Sequence, residues 1–350
     1  PEVPLVLEPP PGLEYCLPCS GPTANESYGD RVTADSFPTP VGMSEERANK
    51  LREEAKSMKH LMTHLPKNPW FCKTCRVTKV NQKPARTIHH DPADIPTEFG
   101  ELLLGDHMIV KKDGDEGNEG EQTILNLFDL GSEYRGTAAL KTKTAEDAKY
   151  ALRKYAGKQV DDVKNFYTDG SKELKKAAED LSWLHPTSTP HRHAANGKME
   201  RENETTTAGT RCAMDGGGLP HPWWPTGVGY FNFADNITRV GKRGQTPYFE
   251  RFKVDFDGEW FALGQLLHFR PHYPVRVALP RFNRRTVPGI FLGWKLHPGD
   301  VFHGEYYVAA LSDFEKSALD EKPVPVYTIK EIVRHHDVRF PLAEARDAEE

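Results

Sequence analysis

A chain of 350 residues with 37% hydrophobic content is long enough to bury at least one sizeable core and is expected to hold two or three domains, while 28 prolines and 28 glycines exclude one uniform helical bundle. No apolar run approaches the ~20 residues that a membrane-spanning helix needs and no signal peptide is seen, so a soluble, non-secreted protein with no membrane partner is expected; the start at Pro1 rather than Met reads as either an engineered start or a segment cut from a longer chain. The net charge of −5 speaks against a uniformly basic nucleic-acid binder, but the acids concentrate in Asp113–Glu121 and Glu344–Glu350.

Residues 1–42 are rich in Pro, Gly, Ser and Thr and read as a flexible linker, interrupted by Cys16 and Cys19. A helical module with a basic connector is expected over 43–90. Ser44 is its N-cap, with Glu46 behind it, and Leu51, Ala55, Met58 and Met62 recur at helical spacing. His60 and His64 then lie one turn apart, Pro66 and Pro69 end the helix, and Cys72 and Cys75 follow. Two imidazoles closed by a Cys-x-x-Cys knuckle offer the nitrogen and sulfur shell that zinc prefers. The ion would supply folding energy to a segment with little core of its own. Two Cys-x-x-Cys pairs favour metal binding in a reducing compartment over disulfides. A four-cysteine site with Cys16 and Cys19 is the weaker arrangement, and a helix-end histidine pair beside two ordinary buried cysteines is the bland one. The connector carries Lys79, Lys83, Arg86, His89 and His90.

A mixed α/β domain is expected over 95–245. Apolar runs at 101–110 and 122–130 read as strands joined by the Gly114–Gly120 loop, Thr137–Leu140 as a third strand and Thr144–Tyr155 as an exposed helix. Val163–Thr168 reads as the strand that delivers Asp169, and Glu200 falls in the first turn of a polar helix. Strands first and then helix–strand alternation predict a mixed sheet flanked by helices. Asp106, Asp169 and Glu200 together make an all-oxygen set suited to magnesium or manganese. Two such ions can activate a water or hydroxyl and stabilise a leaving phosphate oxygen. Each acid alone could be a turn or solvated-helix residue, and Asp129, also after an apolar run, rivals Asp106.

A basic β-rich region is expected over 246–341, followed by an acidic tail at 342–350. Between Phe261 and Lys295 the chain holds Arg270, Arg276, Arg281, Arg284, Arg285 and Lys295 and no acid, interleaved with Phe269, Tyr273, Phe282, Phe291 and Trp294. Basic residues among aromatics are the footprint of a phosphate-contacting surface; a solvated face of a small barrel is the plainer alternative.

This succession resembles the integrase of copia-type LTR retrotransposons, relatives of retroviral integrases. The family has a His/His/Cys/Cys zinc module, an RNase H-like core with an Asp, Asp, Glu triad, and a small basic C-terminal region. Asn196-Gly197 and Glu200-Arg201 match its Asn-Gly-x-x-Glu-Arg; Gly218-Leu219-Pro220, Trp223-Trp224, Thr246-Pro247-Tyr248 and Gly289-Ile290-Phe291-Leu292-Gly293-Trp294 follow in the family's order. The resemblance runs from about residue 58 to about residue 310. The His and Cys pairs stand closer together here, the Asp169–Glu200 interval is a little shorter, and Gly170-Ser171-Lys172-Glu173 replaces the usual Asn and paired glycines.

The resemblance implies phosphoryl transfer on double-stranded DNA, in which 3′-end processing is followed by strand transfer into a target. Asp106 would hold two magnesium or manganese ions and Asp169 and Glu200 one each, Lys198 and Arg201 would hold element ends, and Arg270 to Arg285 would grip backbone phosphates. It further implies a homo-multimer that acts in the nucleus after a cytoplasmic particle stage. Alternatives are a catalytically inactive remnant that only binds nucleic acid, and a ribonuclease H-type nuclease with Asp169 as first acid and Asp215 or Asp235 as a poorly placed later one.

Overall fold

The computed structural model describes residues 34, 37–78, 96–110, 114–186, 193–272, 281–282, 284–320 and 323–349. Outside these lie Cys16 and Cys19 of the expected linker, Lys79, Lys83, Arg86, His89 and His90 of the connector, Asp113, Tyr273 and Arg276. Among the described residues no helix is long and apolar enough to cross a membrane.

The module opens with α1 (Glu45–Lys56), α2 (Met58–Thr63) and α3 (Lys73–Thr78). Ser44 caps α1 by accepting from Arg47 N at 3.4 Å. The single helix expected from Ser44 through His64 is broken at Ser57, whose backbone is extended (φ −65°, ψ 143°). Its hydroxyl donates to Glu54 O at 2.8 Å and accepts from His60 N at 3.2 Å, ending one helix and capping the next, a competition with the backbone that serine is apt to win. His64 then leaves α2 with a left-handed backbone (φ 50°). Ala48, Ala55, Phe71, Cys72 and Cys75 form a small core of the module's own, while Met62, fully buried, belongs to the main core.

The main sheet comprises β1 (Leu103–Ile109), β2 (Thr123–Asp129), β3 (Arg135–Leu140) and the short β4 (Phe166–Tyr167). Its order is β3-β2-β1-β4; the first three strands form an antiparallel meander, and β4 lies parallel to β1 after a crossover through α4 (Ala145–Ala156). This is the mixed α/β arrangement, a sheet flanked by helices, that the sequence led us to expect. Side chains alternate across the strands. Leu103, Leu125, Leu127 and Phe166 join the core with Ala148, Leu152 and Leu174 of α4 and α5 (Lys172–Asp180). Gly105 sits on that face because a Cβ there would meet the Phe166 ring at 2.6 Å. The opposite face offers Leu104, Asp106, Asn126 and Phe128 to α6 (His193–Gly217).

Next come α7 (Trp224–Thr238) and α8 (Pro247–Phe252), then a second, antiparallel sheet of β5 (Leu266–Phe269), β6 (Val287–His297), β7 (Val301–Ala310), β8 (Tyr327–Ile329) and β9 (Ile332–Arg334) in the order β8-β7-β6-β5-β9. The rings of Tyr230 and Phe233 on α7 stack on or tilt against Trp294 at 5.4 and 5.2 Å, so α7 is packed into the same core as this sheet. Phe269, Phe291 and Trp294 are therefore buried rather than surface aromatics among arginines. At the tip of the β6–β7 hairpin, Gly299 N donates to Lys154 O at 2.7 Å. Asp300 reaches Arg251 at 3.5 Å, whose guanidinium lies over the Phe99, Tyr134 and Tyr155 rings. The strand β7 leads into α9 (Leu311–Asp320). The expected acidic tail forms a helix, α10 (Pro341–Glu349), with two ion pairs to the rest of the chain: Arg346 reaches Asp215 at 3.3 Å and Lys73 reaches Asp347 at 3.4 Å.

Candidate active site and metal centre

Strand β1, the turn after β4 and α6 deliver Asp106, Asp169 and Glu200 to one cleft of about 150 Å³, walled by Tyr167 and Met199. Asp106 projects from the centre of β1 toward α6. Asp169 stands in the turn between β4 and α5; Gly170 takes a positive φ of 92° there, and Ser171 caps α5 by accepting from Leu174 N. Thr168 steadies that turn with a 3.0 Å hydrogen bond to His185. Glu200 is the eighth residue of α6 rather than in its first turn, because the helix already begins at His193; its side chain is exposed while Met199 beside it is buried.

Asn203, one turn beyond Glu200 and not singled out by the sequence reading, donates to Asp106 Oδ2 at 2.7 Å. Its own oxygen accepts from Asn126 Nδ2 at 2.9 Å, and Asn126 is the register partner of Asp106 on β2. The signal was available, since an asparagine in the middle of the apolar strand Thr-Ile-Leu-Asn-Leu-Phe-Asp needs a buried partner. Burial, and then the nearby charge of Asp169, push the Asp106 carboxyl above the usual carboxylate range, with Asn203 opposing the shift. A half-buried carboxylate raised by a like-charged neighbour is a setting that a hard cation relieves, and the donor set is oxygen only. The residues present therefore fit magnesium or manganese, although the three carboxylates are not among the groups whose ligand atoms all lie within 4.8 Å of one another.

Other acids have structural work. Asp129 is buried, and its carboxylate accepts from Gly100 N, Ser132 N and Ser132 Oγ at 2.8, 2.7 and 2.6 Å, which ties the end of β2 to its turn. Asp235 is paired with Arg135 and Arg239, and Asp215 with Arg346. On α6 the buried carboxylate is Glu202, held by Arg135 and Lys198 at 2.5 Å each.

Four ligand atoms of His60, His64, Cys72 and Cys75 lie within 4.8 Å of one another, and all four residues are buried. Cys72 Sγ is 3.4 Å from His64 Nδ1, and Cys75 Sγ is 3.6 Å from His60 Nε2. A tetrahedral zinc with Zn–S of about 2.3 Å and Zn–N of about 2.0 Å has S···N edges of about 3.5 Å, so the cluster fits zinc without rearrangement. The hydrogen bond from Cys72, and then His60 and His64, hold the Cys75 thiol far below its ordinary range, while the same bond and burial push Cys72 up. A second group, His335, His336 and Asp337, is a surface turn closed by its own hydrogen bonds: Asp337 N donates to His335 Nδ1 at 3.2 Å, and His336 pairs with Asp337 at 2.9 Å.

The expected DNA-contacting residues divide. Arg270, Arg281, Arg284 and Arg285 are exposed, and Phe282 beside them is 98% exposed. Lys198 is engaged by Glu202 and lies 4.5 Å above the Phe128 ring. Arg201 is exposed, with its Nε on Gly197 O at 3.0 Å.

No family model matches the sequence, and no curated protein matches it significantly. Solved structures that are similar in part include three integrase structures. The catalytic core domain of BIV integrase matches 43% of this chain and 91% of its own at 16% identity, with a TM-score of 0.31. The HTLV-2 integrase catalytic core domain in complex with magnesium, in trimeric form, matches 45% of this chain and 99% of its own at 15% identity and a TM-score of 0.35. The simian T-cell lymphotropic virus intasome in complex with PP2A regulatory subunit B56 gamma matches 77% of this chain and 88% of that chain at 16% identity and a TM-score of 0.37.

Proposed function

We propose that the chain is a polynucleotidyl transferase of the integrase type, from a copia-type LTR retrotransposon, which processes the 3′ ends of element DNA and joins them to target DNA. One observation carries this reading: β1, the β4 turn and α6 present Asp106, Asp169 and Glu200 to a single cleft. Magnesium or manganese bound there would supply Lewis acidity and an activated water or hydroxyl. Asp106, oriented by Asn203, and Asp169 and Glu200 across the cleft hold the negative charge that binds and aligns it. Arg281, Arg284 and Arg285, exposed in the β5–β6 connection, grip backbone phosphates, with affinity that falls as salt rises. His60, His64, Cys72 and Cys75 hold a structural zinc. The family resemblance adds a homo-multimer that acts in the nucleus after a cytoplasmic particle.

The test is strand transfer with labelled duplex ends and a plasmid target, in magnesium and in manganese. Joined product is expected from the wild type and lost by at least ~10²-fold in Asp106→Asn, Asp169→Asn and Glu200→Gln. Wild-type protein that retains DNA at low salt and joins none would overturn the catalytic reading in favour of a binding protein.

A further inference from the structure

The polar contacts around Asp106 extend beyond Asn203 into the molecule. Asn126 Nδ2 donates to Thr206 Oγ1 at 3.3 Å as well as to Asn203. Asn126 Oδ1 accepts from Asn232 Nδ2 at 3.3 Å, and Thr206 Oγ1 donates to Asn232 Oδ1 at 3.1 Å. Asn126, Thr206 and Asn232, from β2, α6 and α7, thus close a ring in which each is at most 2% exposed.

The ring has a direction. Were Asn203 flipped, its carbonyl oxygen would face a carboxylate and its amide would face the amide of Asn126. Turning Asn126 or Asn232 likewise sets donor against donor or acceptor against acceptor. One set of orientations satisfies every group, and in it an N–H points at Asp106. A fully buried polar ring is a costly way to join two helices and a strand when apolar packing would serve, so its placement behind an acid of the cleft calls for a role there.

Resting on the reading of the cleft as a divalent-cation site, we infer that Asn126, Thr206 and Asn232 are positioning residues, which lock the Asn203 amide so that Asp106 is presented to the cation in one orientation. Outer partners of metal-binding carboxylates act in this way, and their loss typically lowers metal affinity by about 10- to 100-fold.

The experiment is a calorimetric titration of the zinc-loaded full chain with Mn²⁺, with Asp106→Asn as the blank and thermal unfolding recorded without Mn²⁺. Asn126→Leu, similar in size and unable to hydrogen-bond, is expected to weaken Mn²⁺ binding at the cleft about 10-fold or more. Thr206→Val, which keeps the shape and removes the hydroxyl, should weaken it too, and Thr206→Ser should restore it. Wild-type affinity in a folded Asn126→Leu protein overturns the inference. So does equal affinity in Thr206→Val and Thr206→Ser, a pair that decides the matter even where Asn126→Leu fails to fold. A wild type that takes up no more Mn²⁺ than Asp106→Asn overturns the cation-site reading itself, and the inference with it.

Discussion

His107 follows Asp106 on β1 but faces the opposite side of the sheet, where neither ring nitrogen has a hydrogen-bond partner. Burial, and then the charge of Lys143, lower its pKa to about 4, so it is neutral in the folded protein at pH 7. The unfolded chain binds a proton there near pH 6.5 and the folded one near 4, so between those values the unfolded state holds more protons. Stability is therefore lost as pH falls through that window. His107→Leu should stabilise the fold by about 1 kcal/mol at pH 7 through removal of an unpartnered polar ring, with a gain that grows toward pH 5. Urea unfolding at the two pH values measures it, and an equal gain at both would show that the imidazole does not titrate in this way.

Among the elements, the β6–β7 hairpin tip shows how closely the second sheet is fitted to α4. Gly157, which ends α4 with φ 58° and ψ −123°, leaves no room: a Cβ there would come within 2.4 Å of Gly299 Cα. Gly157→Ala should lift the tip from α4, cost about 1–3 kcal/mol and speed amide exchange at Gly299; unchanged exchange would mean that the tip is held elsewhere. Neither end of this contact announces itself in sequence, since both are glycines in ordinary turns. The strands of the main sheet were legible because their apolar runs are bounded by turn residues; Asp106 lies within such a run and Asp169 just past one, whereas Glu200 sits on α6, whose start at His193 the sequence pattern did not give. The break at Ser57 was not, because Leu51 to Met62 keeps helical spacing across it and only the serine's local hydrogen bonds decide. The arginine-and-aromatic segment was half legible. Its described arginines are on the surface, while most of its described rings are core, and composition does not separate the two faces of a strand.

Across the whole molecule, the His/His/Cys/Cys module is built into the core rather than strung beside it. Met62 lies within the main hydrophobic cluster, Thr78 Oγ1 is 2.6 Å from Cys212 Sγ on α6, and a Cβ at Gly216 would stand 3.3 Å from His64 Nε2. Residues 32–350 form one compact unit. On the proposed reading of this cluster as a zinc site, chelation should therefore lower the melting temperature of the entire unit in a single transition. The loss should reach at least about 3 kcal/mol, or roughly 6–12 °C for a chain of this size. Scanning calorimetry with and without chelator reads this directly, and two separated transitions would show a module that melts alone.

The 25-residue helix α6 joins these two chemistries as a rigid lever. At 1.5 Å per residue, about 24 Å separate Glu200 near its start from Gly216 beside the imidazoles, so a tilt of about 5° at the far end swings the carboxylate by about 2 Å, where a displacement of about 1 Å can cost about 10²-fold in rate. On the proposed reading, a transition-metal ion that never meets the nucleic acid sets the aim of the acid that does.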